Sequence, residues 1–135
     1  MKNILNTALC LVIAVIGYTP LATADEVNFN VLMPSLQCTN PDQHNECILT
    51  GEMMARGPAS LVKPVKYYCE TNYSYVAAES AQQEIRFSKR LITHGEITMK
   101  DGKARKSISE TVTLDLPRKA RRVDISTMNC FIEKP

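Results

Sequence analysis

Between Val65 and Ala77 the chain reads VKYYCETNYSYVA. Val65, Tyr67, Cys69, Thr71, Tyr73, Tyr75 and Ala77 share one side of a period-two pattern; Lys66, Tyr68, Glu70, Asn72, Ser74 and Val76 share the other. Such alternation predicts a half-buried strand, here the central strand of a small β domain. Upstream, Val27, Phe29, Val31 and Met33 alternate with Asn28, Asn30 and Leu32 in an opening strand that Pro34 interrupts. CTNPDQHNEC, Cys38 to Cys47, is dense in turn formers and predicts a loop. Ile48 to Met54 resumes as a second strand, and Arg56 to Pro64, with Gly57, Pro58 and Pro64, connects it to the tyrosine-rich segment.

Beyond Ala77, AESAQQE is polar and alanine-rich, which fits one helical turn or a linker. Ile85, Phe87, Lys89 and Leu91 begin another strand, and Lys89 among apolar positions marks an edge or a barrel rim. Ile97 and Met99 lead into Lys100-Asp101-Gly102-Lys103, where Asp-Gly predicts a type I′ hairpin turn with positive φ at both central residues. On the return arm Ala104, Ile108, Val112, Leu114 and Leu116 oppose Arg105, Ser107, Ser109, Thr111, Thr113 and Asp115, and Pro117 ends the run. In the last strand the apolar phase moves from odd Val123 and Ile125 to even Met128, Cys130 and Ile132. A β-bulge near Ser126-Thr127 would restore the inward aim of Cys130. The total is about seven strands in an all-β, antiparallel sandwich of immunoglobulin or fibronectin-III type, with a small closed barrel as the alternative. The chain has no tryptophan, so the tyrosines must supply the bulk that tryptophan gives antibody domains.

The first 24 residues stand apart from this pattern. Lys2 is their only charge, Ile4 to Ile16 is mostly apolar, and Ala22-Thr23-Ala24 forms an A-x-A site. They read as a signal peptide cleaved after Ala24, with the apolar run too short for a membrane span. Residues 25–135 then form a single domain, exported and either secreted or periplasmic. Without Lys2, 15 basic residues face 14 acidic ones, so whole-chain charge argues nothing about nucleic acid. No nucleic-acid partner is expected of an exported chain with no aromatic residue between Tyr75 and Phe131 except Phe87. Removing Cys10 leaves Cys38, Cys47, Cys69 and Cys130, an even set in an exported chain and hence two disulfides. Of three connectivities, Cys38–Cys47 with Cys69–Cys130 is favoured: one closes a short loop and the other ties the central strand to the last.

Chemistry is sparse. His44 and His94 lie on expected loops with no partner pattern, and Cys38-x8-Cys47 enclosing His44 lacks the paired short spacings of structural zinc. No phosphate loop, nucleophile elbow or HExxH motif occurs, so neither metal nor cofactor nor enzymatic activity is expected. Two features offer partner binding. Tyr67, Tyr73 and Tyr75, on the side of Cys69, are expected in the core with hydroxyls reaching the rim. Tyr68 is the one tyrosine of its segment on the opposite side, and tyrosine is enriched at protein interfaces. Arg118, Lys119, Arg121 and Arg122 form a basic turn, which is either a solvated edge or a docking patch for an acidic partner, reinforced by Lys100, Lys103, Arg105 and Lys106. Asn72-Tyr73-Ser74 matches a glycosylation sequon, meaningful only in a glycosylating host.

The export signal, the four mature cysteines, VKYYCETNYSY and the VTLDLPRKARRVDI corner together resemble a family of small secreted enterobacterial proteins, the interleukin receptor mimic (IrmA-type) family. That resemblance implies a fibronectin-III-like sandwich, a homodimer, and virulence-associated binding of host cytokines by imitation of their receptors. It carries no site residue across position by position. The expectation is a secreted, non-enzymatic protein-binding module. The alternative is a periplasmic chaperone-like or inhibitor protein acting on an envelope protein, and a hydrolase using His44 or His94 stands third.

Overall fold

Six strands form where the alternation predicts them, in a computed structural model that describes residues 26–38, 46–80, 83–117 and 120–135. They are β1 (Asn28–Cys38), β2 (Glu46–Arg56), β3 (Pro64–Ser80), β4 (Gln83–Thr98), β5 (Lys103–Thr113) and β6 (Ala120–Ile132). Two antiparallel sheets result, in the orders β1-β2-β5 and β4-β3-β6. The two sheets pack face to face as an antiparallel β-sandwich, and β6 has β3 on one side and no strand on the other among the described residues. The expected count of about seven falls to six because the segment beginning at Ile85 and the one leading into Asp101-Gly102 are a single strand, β4. The expected signal peptide and the interior of the Cys38–Cys47 loop lie outside the described residues, as does His44.

Within AESAQQE the described residues belong to strands and not to the helical turn or linker expected, Ala81 and Gln82 lying outside the described residues. β3 runs through Ser80 and β4 begins at Gln83, with Ala78 opposite Glu84 and Ser80 opposite Gln83. Pairing with the neighbouring strand outweighs the helical preference of alanine, as tertiary context commonly does. The Asp101-Gly102 turn has the expected backbone, φ 51° and 70°, and closes with reciprocal hydrogen bonds between Lys100 and Lys103.

Bulges settle which side chains face inward. Leu32 opposes Glu52 and Ser35 opposes Thr50, so Met33 and Pro34 together stand across from Gly51. Pro34 therefore bends β1 without ending it: Met33 takes φ 48° and lies 80% exposed. Inward residues change from odd Phe29 and Val31 to even Leu36. In β6, Asn72 opposes Thr127 and Tyr73 opposes Ile125, which leaves Ser126 as the extra residue, at the expected position. A second bulge at Arg122 (φ 48°) flips the strand again, from odd Val123 to even Ala120.

The core lies between β2, β3 and β5, with Leu49, Met53, Val65, Tyr67, Cys69, Met99 and Leu114 almost wholly buried. Both favoured disulfides are present, and each joins residues directly opposite on neighbouring strands of one sheet. In a chain-entropy account their loops contribute roughly 3 and 4 kcal/mol. Tyr73 and Tyr75 are buried beside the ammonium of Lys89, as expected of tyrosines near a rim. Tyr67 departs from that expectation. Its hydroxyl is buried with no hydrogen-bond partner, because Gly95, directly opposite, opens a hollow into which the ring settles. Thr71 Oγ1 is likewise buried and unpartnered; each such group costs about 1–3 kcal/mol.

Lys89 explains its own odd placement. β4 is an edge strand, and the Lys89 ammonium reaches across to the Asp115 carboxylate and donates to the Asp115 carbonyl at 2.9 Å. Lys106 of β5 makes the reciprocal crossing, donating to the Glu96 carbonyl at 2.9 Å with its ammonium 5.4 Å from the Tyr67 ring centre. Two inward lysines thus close the β4–β5 side of the sandwich and blunt both edges. The hydrogen bond to Asp115 holds the Lys89 ammonium above its ordinary value. The stabilisation is therefore in place at neutral pH and is lost only as pH rises through that raised value.

Replacing Gly95 with alanine would drive a Cβ into the Tyr67 ring and hydroxyl, whereas a Cβ at Gly51 meets Val31 Cγ1 at an ordinary 3.4 Å. Gly95→Ala should destabilise by about 1–3 kcal/mol and Gly51→Ala by less than about 0.5 kcal/mol, measured by urea denaturation of the oxidised protein.

Candidate functional site

Because Cys69 opposes Cys130, Tyr68 is set directly across from Phe131 on one side and His94 on the other. All three point away from the core, on the outer face of β4-β3-β6. The Tyr68 ring lies 5.4 Å from Phe131 and 6.4 Å from His94, both tilted, in the range where aromatic pairs attract. Tyr68 is half-buried between its neighbours, while Phe131 stays 44% exposed. In the next row Ile92, 49% exposed, stands opposite Glu70.

Polar and charged groups ring this apolar centre. His94 Nδ1 lies 3.4 Å from a Glu133 carboxylate oxygen, and Arg90 pairs with Glu70 at 3.5 Å. Apolar rings in the middle with a polar, ion-paired margin are the anatomy of a protein-recognition patch. The surface is a face and not a cleft, which suits a broad partner better than a small substrate. Among the described residues no three His, Cys, Asp or Glu side chains come together in a metal-binding group.

The described residues of the basic turn, Arg121 and Arg122, do not join this patch. Arg118 and Lys119 lie outside the described residues. Arg121 is exposed opposite Val76, eight residues along β3 from Tyr68, or roughly 26 Å at strand rise. Arg122 reaches over β3 to the Glu84 carboxylate on the far edge strand, so part of its charge is spent inside the chain. Arg86 donates to Ser74 Oγ at 3.0 Å, and Val76, flanked by Arg86 and Arg121, is 6% exposed although it faces outward. The aliphatic stems of those arginines account for its burial. Asn72, of the sequon, donates to Thr127 Oγ1 at 2.9 Å on the neighbouring strand.

Sequence reasoning found Tyr68 but missed Phe131, Ile92 and Glu133, and it put His94 on a loop. The signal for Phe131 was at hand. Once Cys69 and Cys130 pair in antiparallel strands, the residues one step before and one step after them must pair as well.

A second feature is an edge. β1 and β6 lie side by side at the margins of the two sheets without pairing, and a groove of about 320 Å³ runs between Val27–Val31 and Met128–Phe131. β6 pairs with β3 on one side only, so its other backbone edge is without a strand partner among the described residues. Compared with known proteins, the chain matches no family model, no curated protein and no solved structure.

A double-mutant cycle on Tyr68→Ala and Phe131→Ala should give a coupling of about 0.5–1 kcal/mol in urea denaturation, with each single variant still folded. A coupling near zero would show that the two rings do not hold each other in place.

Proposed function

We propose that this chain is an exported, non-enzymatic protein-binding module. The outer face of β4-β3-β6, centred on Tyr68, Phe131, His94 and Ile92, is its recognition surface. The observation that carries the reading is the aromatic pair Tyr68–Phe131, left half-exposed on a rigid sheet and stapled from behind by the neighbouring Cys69–Cys130 disulfide. Rigid aromatic side chains give large contact area at little entropic cost, and a pre-formed sheet spares the ordering cost of a loop. The two disulfides support an oxidising compartment and hence export.

Likeness to the interleukin receptor mimic family supports a finer reading, in which the partner is a host cytokine and the protein acts outside the cell. The open edge of β6 supports a homodimer, since an unpaired strand accepts a strand from a second copy. The same edge and groove favour one alternative, a periplasmic protein that captures an extended segment of an envelope protein by adding it as a strand. Cell fractionation separates the two, because a protein confined to the periplasm cannot meet host cytokines.

Purified mature protein, tested against a cytokine panel by surface plasmon resonance, should bind at least one member. Tyr68→Ala and Phe131→Ala should each weaken that binding by about tenfold or more, as central aromatic anchors do, while leaving circular dichroism unchanged. Absence of binding across the panel would remove the cytokine reading. Binding that survives both substitutions would move the surface elsewhere.

A further inference from the structure

On the opposite side of the sandwich, the strand register assembles a second surface. Asn28, Arg56 and Lys103 stand in one row across β1, β2 and β5; Asn30, Met54 and Arg105 stand in the next. These side chains all face outward, and all but the half-buried Met54 are exposed. Lys100 joins them from the Asp101-Gly102 turn. One recess of about 400 Å³ is lined by Met54, Arg56, Lys100, Lys103 and Arg105, among others. A second, of about 260 Å³, is lined by Asn28, Asn30, Met54 and Arg56, with Phe29. Met54 and Arg56 belong to both, so the two recesses form one trough across the three strands, about 10 Å from β1 to β5.

Its electrostatics are one-sided. Of the four cations, Arg105 alone has an ion-pair partner among the described residues: its Nε lies 2.9 Å from a Glu52 carboxylate oxygen. Arg105 also sets Nη2 3.6 Å from the Met54 sulfur, which fixes the guanidinium over the trough floor. Arg56, Lys100 and Lys103 have no carboxylate within ion-pair distance among the described residues. Three unneutralised cations, crowded by strand spacing of about 5 Å, repel one another until an anion bridges them. A solvated edge needs charge, but it does not need charge gathered around a recess.

We propose that this trough binds a sulfated polysaccharide chain. The cations would engage its sulfate groups, and the Asn28 and Asn30 amides, able to donate and accept, would take its hydroxyls. The composition of the trough argues against nucleic acid. Its one aromatic residue, Phe29, packs against the core and leans on Tyr67 at 5.7 Å, so no ring is free to stack on a base. The absence of an apolar prominence in the trough argues against a membrane surface, which such a site would need to anchor in. Placement on the face opposite Tyr68 makes the inference independent of the protein-binding reading.

The test is heparin-affinity chromatography of the oxidised protein, followed by titration with a heparin tetrasaccharide, its desulfated counterpart and single-stranded DNA of matching length. The tetrasaccharide should bind with an affinity that falls as salt is raised, and both desulfation and the DNA should lower affinity at least tenfold. Arg56→Gln with Lys103→Gln, both exposed, should weaken tetrasaccharide binding at least tenfold without moving the urea midpoint. Arg121→Gln with Arg122→Gln, at the other basic cluster, should change it less than twofold. No retention on heparin, equal binding of the desulfated sugar or the DNA, or a loss that follows Arg121 and Arg122 in place of Arg56 and Lys103 would each overturn the proposal.

Discussion

The Cys69–Cys130 bond does more than lower the entropy of the unfolded chain. It links directly opposed residues of neighbouring strands, so it admits a single antiparallel register for β3 against β6. A one-residue slip would turn every side chain of one strand to the other face. The bond makes such a slip impossible without breaking a covalent link. From that register follow the burial of Met128 opposite Thr71, the meeting of Tyr68 with Phe131 and the docking of Glu133 N–H on the Lys66 carbonyl. The candidate recognition surface is thus a consequence of the staple, one residue removed from it. Cys38–Cys47 plays the same part in the other sheet, holding the end of β1 against β2 on the far side of the Met33-Pro34 bulge.

Staples alone would not suffice, because β1 and β6 both carry apolar residues of two parities. Each bulge solves a local conflict between a strand's period and the single buried side of a sheet. In β1 the conflict comes from Pro34, and Met33 and Pro34 together span the single residue Gly51 of β2. In β6 it comes from the joint need to bury Ala120, Ile125 and Cys130, which no uninterrupted strand can do. Positive φ at Met33 and Arg122 is a cost of order 1 kcal/mol each, accepted for that sidedness.

How far the chain could be read depended on whether a feature was local. Most of the strands, the Asp101-Gly102 turn and the Ser126 bulge leave signatures within a few residues, and the structure agrees with them, although two expected segments run together through His94 as β4. Sulfur pairing was legible because four cysteines in a small β domain leave few choices. Three things were not legible, for distinct reasons. AESAQQE has a local composition that suits a helix, and only its pairing partner across the hairpin overrules it. The Tyr67 hydroxyl was expected at the rim, but its fate depends on Gly95, 28 residues away in sequence and adjacent in space. The basic residues looked like one cluster along the chain. In three dimensions Arg121 and Arg122 lie on one sheet, Arg105 and Lys103 on the other, and Lys106 turns inward to Glu96.

That division matters for how a sandwich of this size can carry more than one surface. Its two outer faces are separated by the core, so charge gathered on one is screened from the other over distances beyond a Debye length of about 8 Å. The β4-β3-β6 face ties some of its ionic groups to each other, as in Arg90–Glu70 and Arg122–Glu84, and presents aromatic area. The β1-β2-β5 face does the reverse, presenting cations around a floor of Met54 and few opposing carboxylates. Between them the β4–β5 side is closed by Lys89 and Lys106, whereas the β1–β6 side stays open as a groove with no ladder across it. The lysine crossings occupy the Asp115 and Glu96 carbonyls and set charge along that side, which disfavours strand addition there. An additional strand would therefore enter beside β6, at the end of the molecule where Phe131 already stands.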